Sequence, residues 1–126
     1  CSSFRPVCCR FGPAGIFLLC GPRGWCFDVW PRIEPSGQPL PFFRGLGRPQ
    51  GMAFDREGNL YVAASYRGRR GIVRLSPDGS EARVAVAGMN VVGVAFGPLG
   101  EMVVATNDAV FSLPLGVHGV LLKDAA

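Results

Sequence analysis

Tyr66-Arg67-Gly68-Arg69-Arg70 puts three arginines and a tyrosine into five consecutive residues. A guanidinium presents forked N–H donors that match a carboxylate or a phosphate. A tyrosine ring offers a face on which a base or sugar stacks. The other candidates for chemistry are sparser. Asp55 and Glu57 are two carboxylates in close succession, but Asp55-Arg56-Glu57-Gly58 reads as a tight turn. Asn107-Asp108 is an oxygen-bearing pair that turn formation also explains. His118 is the single histidine, with no aligned serine or aspartate, so no nucleophilic triad is visible. The five cysteines are Cys1, Cys8, Cys9, Cys20 and Cys26. An odd number without a Cys-x-x-Cys pair gives a zinc site no support, and core thiols are the expectation.

These groups are carried on a repeat of about 42 residues that occurs three times. Gly51, Ala53, Phe54, Gly58, Val62 and Ala63 are matched by Gly93, Ala95, Phe96, Gly100, Val104 and Ala105. In the other direction, Arg5-Pro6 matches Arg48-Pro49, and Phe11 and Gly15 match Phe54 and Gly58. Cys8, Cys9 and Cys20 fall where the later repeats have Gly51, Met52 and Ala63. A second landmark also recurs, as Pro35-Ser36-Gly37, Pro77-Asp78-Gly79 and Pro114-Leu115-Gly116. Repeats of this length built from short strands correspond to one propeller blade each.

Within the middle repeat, strands are expected over 50–54, 60–64, 72–76 and 82–87, with a polar loop over 65–71. Gly58 suits a positive φ, and Pro77-Asp78-Gly79 is a turn. The expected fold is therefore all-β: propeller blades, each a four-stranded antiparallel sheet, in a single partial propeller. The blades run roughly over 1–45, 46–88 and 89–126. The recurring Phe11, Phe54 and Phe96 are read as core between blades. The 18 Gly and 11 Pro fit a chain of many tight turns.

Composition limits the function classes. Hydrophobic residues make up 48% of the chain, which places it among folding sequences. No run approaches the roughly 20 apolar residues that a membrane helix needs. Arg5 and Arg10 near an apolar run have the faint look of a targeting segment, but the repeat accounts for them. The net charge is +4, and Lys123 is the only one of the 13 basic residues that is not arginine. That charge alone selects neither nucleic acid nor membrane, and no compartment is indicated.

The middle repeat resembles a known group. Pro49-Gln50-Gly51-Met52-Ala53-Phe54-Asp55, Gly58-Asn59-Leu60-Tyr61-Val62-Ala63 and Val73-Arg74-Leu75-Ser76-Pro77-Asp78-Gly79 are similar to an NHL-type repeat. They are equally similar to blades of the senescence-marker-protein/gluconolactonase family. The third repeat departs at Gly97 and at Glu101-Met102-Val103, and the first at Cys8 and Arg10. The resemblance implies a ring of about six blades, of which three are here. A ring is then completed either by the missing blades of a longer chain, which is the expectation, or by a homodimer. In the gluconolactonase-like family a divalent-metal ligand, Asn or Asp, directly precedes the glycine of the Pro-x-Gly motif. The matching positions here are Val7, Gln50 and Val92. Valine cannot ligate, and an uncharged Gln50 is a weak ligand for a hard ion.

Strand order in an antiparallel blade sets the entrance of the first strand and the second-to-third connection at one end. Arg5, Arg48, Gln50 and Asn90 should thus share a face with Tyr66, Arg67, Arg69, Arg70, Asn107 and Asp108. The leading expectation is a non-catalytic scaffold that binds a small ligand or a protein on this channel face, with no cofactor. One alternative is a metal-dependent lactonase, using calcium or another divalent ion, with most of its site in missing blades. The other is anion or RNA binding by the arginine segment.

Overall fold

The structure of the chain, a computed structural model, describes residues 8–11, 17–20, 29–33, 36, 39–47 and 49–119. Up to residue 44, only Ser36 and Phe43 are described beyond their backbone. Twelve strands follow one another among these residues, with no helix between them. They are β1 (Cys8–Phe11), β2 (Phe17–Cys20), β3 (Val29–Ile33), β4 (Pro39–Arg44), β5 (Leu46–Gly47), β6 (Met52–Phe54), β7 (Leu60–Tyr66), β8 (Arg69–Leu75), β9 (Ala82–Ala87), β10 (Val91–Phe96), β11 (Met102–Thr106) and β12 (Val110–Leu113). No helix among the described residues is long and apolar enough to cross a membrane.

Three antiparallel sheets succeed each other along the chain. The first runs β1-β2-β3-β4, the second β5-β7-β8-β9 with β6 also on β7, and the third β10-β11-β12. Each is a meander, in which consecutive strands pair through short connections. The inner strand of the second sheet is interrupted: β5 and β6 both pair with β7, and Gln50 and Gly51 bridge the gap through backbone bonds with Ala63. The third sheet has three strands among the described residues rather than the expected four. After β12 the chain leaves the sheet edge, and Gly119 bridges to Asp55 at the far end of β6.

The second sheet sits between the other two, and this decides its sequence. A strand covered on both faces reads as a continuous apolar run instead of an alternating one. Leu60, Tyr61, Val62, Ala63 and Ala64 of β7 are all buried. Leu60, Val62 and Ala64 join Leu46, Met52, Phe54, Val73 and Leu75 in one cluster, with Phe43 packed at its margin. Tyr61, Ala63 and Ile72 face the other way and join Val91, Val94, Met102 and Val104 of the third sheet. Two of the three repeat phenylalanines serve these seams, and the side chain of Phe11 lies outside the described residues. Phe54 is buried in the first cluster, and Phe96 meets Tyr61 edge-on with centroids 5.1 Å apart. Near the start of the inner strands the seam is tight: a Cβ on Gly51 would lie 3.0 Å from the Gly93 Cα. That approach favours glycine at 51, whereas a Cβ on Gly93 would meet only the Ala105 Cβ, at 3.6 Å.

The expected loop over 65–71 is instead a tight hairpin. β7 and β8 pair through Tyr66↔Arg69, leaving only Arg67 and Gly68 as the turn. Both have positive φ, 50° and 78°, the signature of a type I′ turn whose twist suits flanking strands. Arg67 is not a residue favoured there, and its polar neighbours read as loop. The long β7–β8 ladder overrides that local preference.

Candidate functional site

Strand alternation divides the seam between the second and third sheets into two ends. Arg70, Ile72 and Arg74 lie on the same face of β8, because side chains two apart share a face. Ile72 is buried in the cluster between the sheets. Arg70 lies at the end where β5 begins, and Arg74 at the opposite end.

At the strand-entrance end, Arg70 is fully engaged. Its Nε donates to the Val91 carbonyl at 3.2 Å, and its Nη2 donates to the same oxygen at 2.9 Å. Nη2 also donates to Gln50 Oε1, and Nη1 reaches the Gly47 carbonyl at 3.4 Å. One guanidinium thus ties the interrupted inner strand of the second sheet to the first residue of the third. Gln50, Arg67, Arg69, Asn90, Asn107 and Asp108, the other described residues expected at this end, are exposed. Tyr66 is half-buried, packed against Phe43 at 5.9 Å, with the Arg67 guanidinium 5.2 Å over its ring. Arg69 projects from the opposite face to Arg70, so the three arginines do not converge on one anion. Thr106 Oγ1 donates to Asp108 Oδ1 at 3.1 Å, which is turn formation. Arg5 and Arg48 lie outside the described residues.

The donor set does not fit a divalent ion here. Gln50 Oε1, the oxygen at the ligand position, already accepts from a guanidinium. A fixed cation beside it repels a second one. Val92 has no donor, and Val7 lies outside the described residues. Among the described residues, no group of three or more His, Cys, Asp or Glu side chains is arranged to hold a metal.

The other end of the seam holds a pocket of about 410 Å³, lined by Asp55, Arg56, Glu57, Tyr61, Arg74, His118 and the backbone of 116–117. The segment after β12 closes it: Arg56 N donates to the His118 carbonyl and Val117 N to the Gly100 carbonyl. Asp55 is 4% exposed and its carboxylate is committed. Oδ1 accepts from Glu57 N and Asn59 N, both at 2.9 Å, and Oδ2 from Asn59 Nδ2 at 2.8 Å. Asp55 therefore builds the turn, as its position after the strand suggests. Burial, and then the nearby Asp55 charge, push the Tyr61 phenol above its ordinary value, while Arg74 pulls the other way.

Arg74 differs from every other group in this pocket. Its Nε is buried and has no hydrogen-bond partner. Its register neighbour across β9 is a second arginine, Arg83. Arg74 stands in the repeat motif as a marker of the blade, and nothing in the sequence sets it apart from that role. One signal was legible: the equivalent register position opposite β11 is Ser112, so the turn that follows does not require an arginine.

No family model matches the chain, and no curated protein matches it. Solved structures do. One, described as a gluconolactonase, superposes with a TM-score of 0.69 at 22% identity over 91% of this chain and 40% of its own. Another, a luciferin-regenerating enzyme, gives 0.66 at 22% identity over 88% of this chain and 45% of its own. The chain has a β-propeller fold. Its sheets are blades of the kind that both neighbours contain. The chain spans less than half the length of each neighbour, and at this identity the likeness is one of fold.

Proposed function

We propose that these blades are the rigid, non-catalytic part of a gluconolactonase-like propeller, and that their strand-entrance face receives a small ligand or a protein. The observation that carries this reading is the Arg70 clamp. It fixes Gln50 and the edges of two successive sheets into one polar face, and a preorganised face binds with less ordering cost. The side chains around it are exposed polar groups without a nucleophile or a general base in contact with one another.

A metal-dependent lactonase is the second reading, supported by the fold-level likeness to a gluconolactonase. On that reading the metal ligands come from residues beyond 46–119, since those described on this face do not fit. Hydrolysis of a simple δ-lactone, followed with and without calcium, manganese or zinc, separates the two. The scaffold reading expects the uncatalysed rate throughout. Turnover that requires a metal would overturn it, whether or not it survives Gln50→Ala.

A further inference from the structure

Among the described residues, the buried side-chain donor without a partner lies away from the strand-entrance face. We propose that the pocket at the opposite end of the seam is a binding site for a small oxyanion, a carboxylate or phosphoryl group, anchored by Arg74. The proposal does not depend on the reading of the other face.

Four observations converge. First, the Arg74 Nε is buried in the wall of a pocket with no partner. Buried polar groups are otherwise satisfied in folded proteins, and an exception calls for a missing partner. Second, Arg74 stands directly opposite Arg83 in the β8–β9 ladder. Like charges at that register repel each other, and an anion held by Arg74 offsets that repulsion. Third, a second guanidinium, Arg56, and the His118 ring belong to the same lining, beside Asp55 and Glu57. Fourth, neither acid in the lining gives the Arg74 Nε an acceptor. The Asp55 oxygens accept from Glu57 N, Asn59 N and Asn59 Nδ2, which turns them toward their own turn while the carboxylate keeps its charge. Glu57 is exposed.

The size of the pocket narrows the ligand. At about 410 Å³ it falls in the range of small-molecule sites. It accepts a compact organic acid or a phosphate ester, with Tyr61 in the wall beside Arg74. A guanidinium distinguishes these oxyanions from neutral sugars or lactones by its paired donors. Both chemistries share that anchor, and titration tells them apart.

The test uses the full chain, with inorganic phosphate and malonate as probes, followed by calorimetry and by thermal unfolding. Saturable binding of at least one probe is expected, together with a rise in the unfolding midpoint. Arg74→Met should abolish both effects. Arg74→Lys, which keeps the charge but loses the fork, should bind roughly 10-fold more weakly. Phosphate outcompeting malonate assigns a phosphoryl ligand, and the reverse assigns a carboxylate. Unfolding of each variant is measured without probe, so a lost response is not confused with a lost fold. The absence of saturable binding to the unmutated chain overturns the proposal, and so does binding that persists undiminished in Arg74→Met.

Discussion

Arg70 and Arg74 leave the same face of the same strand, one on each side of Ile72, and end in opposite states. Arg70 reaches across the seam and finds the Val91 and Gly47 carbonyls and the Gln50 side chain. Arg74 lines a pocket, and its buried Nε finds none. The difference is not one of residue type or of secondary structure. At one end the third sheet begins with a free carbonyl next to β8. At the other the chain after β12 turns away to meet Asp55 and Arg56, and leaves a cavity. Identical side chains thus act as a structural clamp and as an open anchor because of what the neighbouring blade offers them.

The largest effect expected from breaking this contrast is at Arg70. Arg70→Met removes the donor to three oxygens that bridge two sheets. Hydrogen bonds from a charged donor are worth about 1.5–3 kcal/mol net, so a loss of about 2–3 kcal/mol is expected in denaturant unfolding. A loss no larger than that of an exposed arginine would mean the clamp is not holding the seam.

Arg74→Met should act in the opposite direction. It removes a buried donor that is unsatisfied and a charge that opposes Arg83. A gain of about 1 kcal/mol in the ligand-free protein is expected, measured in the same denaturant series. If Arg74→Met is as damaging as Arg70→Met, then the two ends of the seam are equivalent and the contrast fails.

The smallest effect concerns Asp78, a charge at the Arg74 end that is satisfied within its own turn. Its Oδ1 accepts from Ser76 Oγ and Ser80 Oγ, both at 2.7 Å, and from Ser80 N at 3.0 Å. The Ser76 bond first, then those from Ser80, hold its carboxyl down to about 2 from an ordinary 3.8. A depressed folded value means that the stabilisation is complete above 3.8 and is lost as the pH falls toward 2. The unfolding midpoint should decline over that window, and the part due to Asp78 should vanish in Asp78→Asn. An unchanged profile in the variant would show that these hydrogen bonds do not favour the ionised form in solution.

Much of the fold was legible because its signals are local. Asp55 to Gly58 and Pro77-Asp78-Gly79 form the expected turns, and β9 covers 82–87 as its alternation implies. Recurrence of phenylalanine and glycine located the seams, since close packing between successive sheets needs the same residue types each time. The 65–71 segment was misread as a loop for an equally physical reason. Its polar composition says loop, but the ladder from Leu60↔Leu75 to Tyr66↔Arg69 continues to the hairpin end and imposes a left-handed conformation on Arg67. The candidate site was legible only in part. Shared placement at one end follows from strand order, and Arg70, Gln50 and Val91 do meet there. That Tyr66 is packed beneath Arg67, and that Arg69 points away from Arg70, required the pairing register.

By itself, then, the sequence determined the period, the all-β character, the turns and which positions face a core, because these depend on backbone preference and on alternation over a few residues. Only the tertiary structure decided which charged side chain is paired. The partners of Arg70 lie some 20 positions away in either direction, and the pocket around Arg74 exists because a segment more than 40 positions later passes beneath it. Hydrogen-bond satisfaction is settled by whichever group arrives across the seam, and no local pattern carries that information.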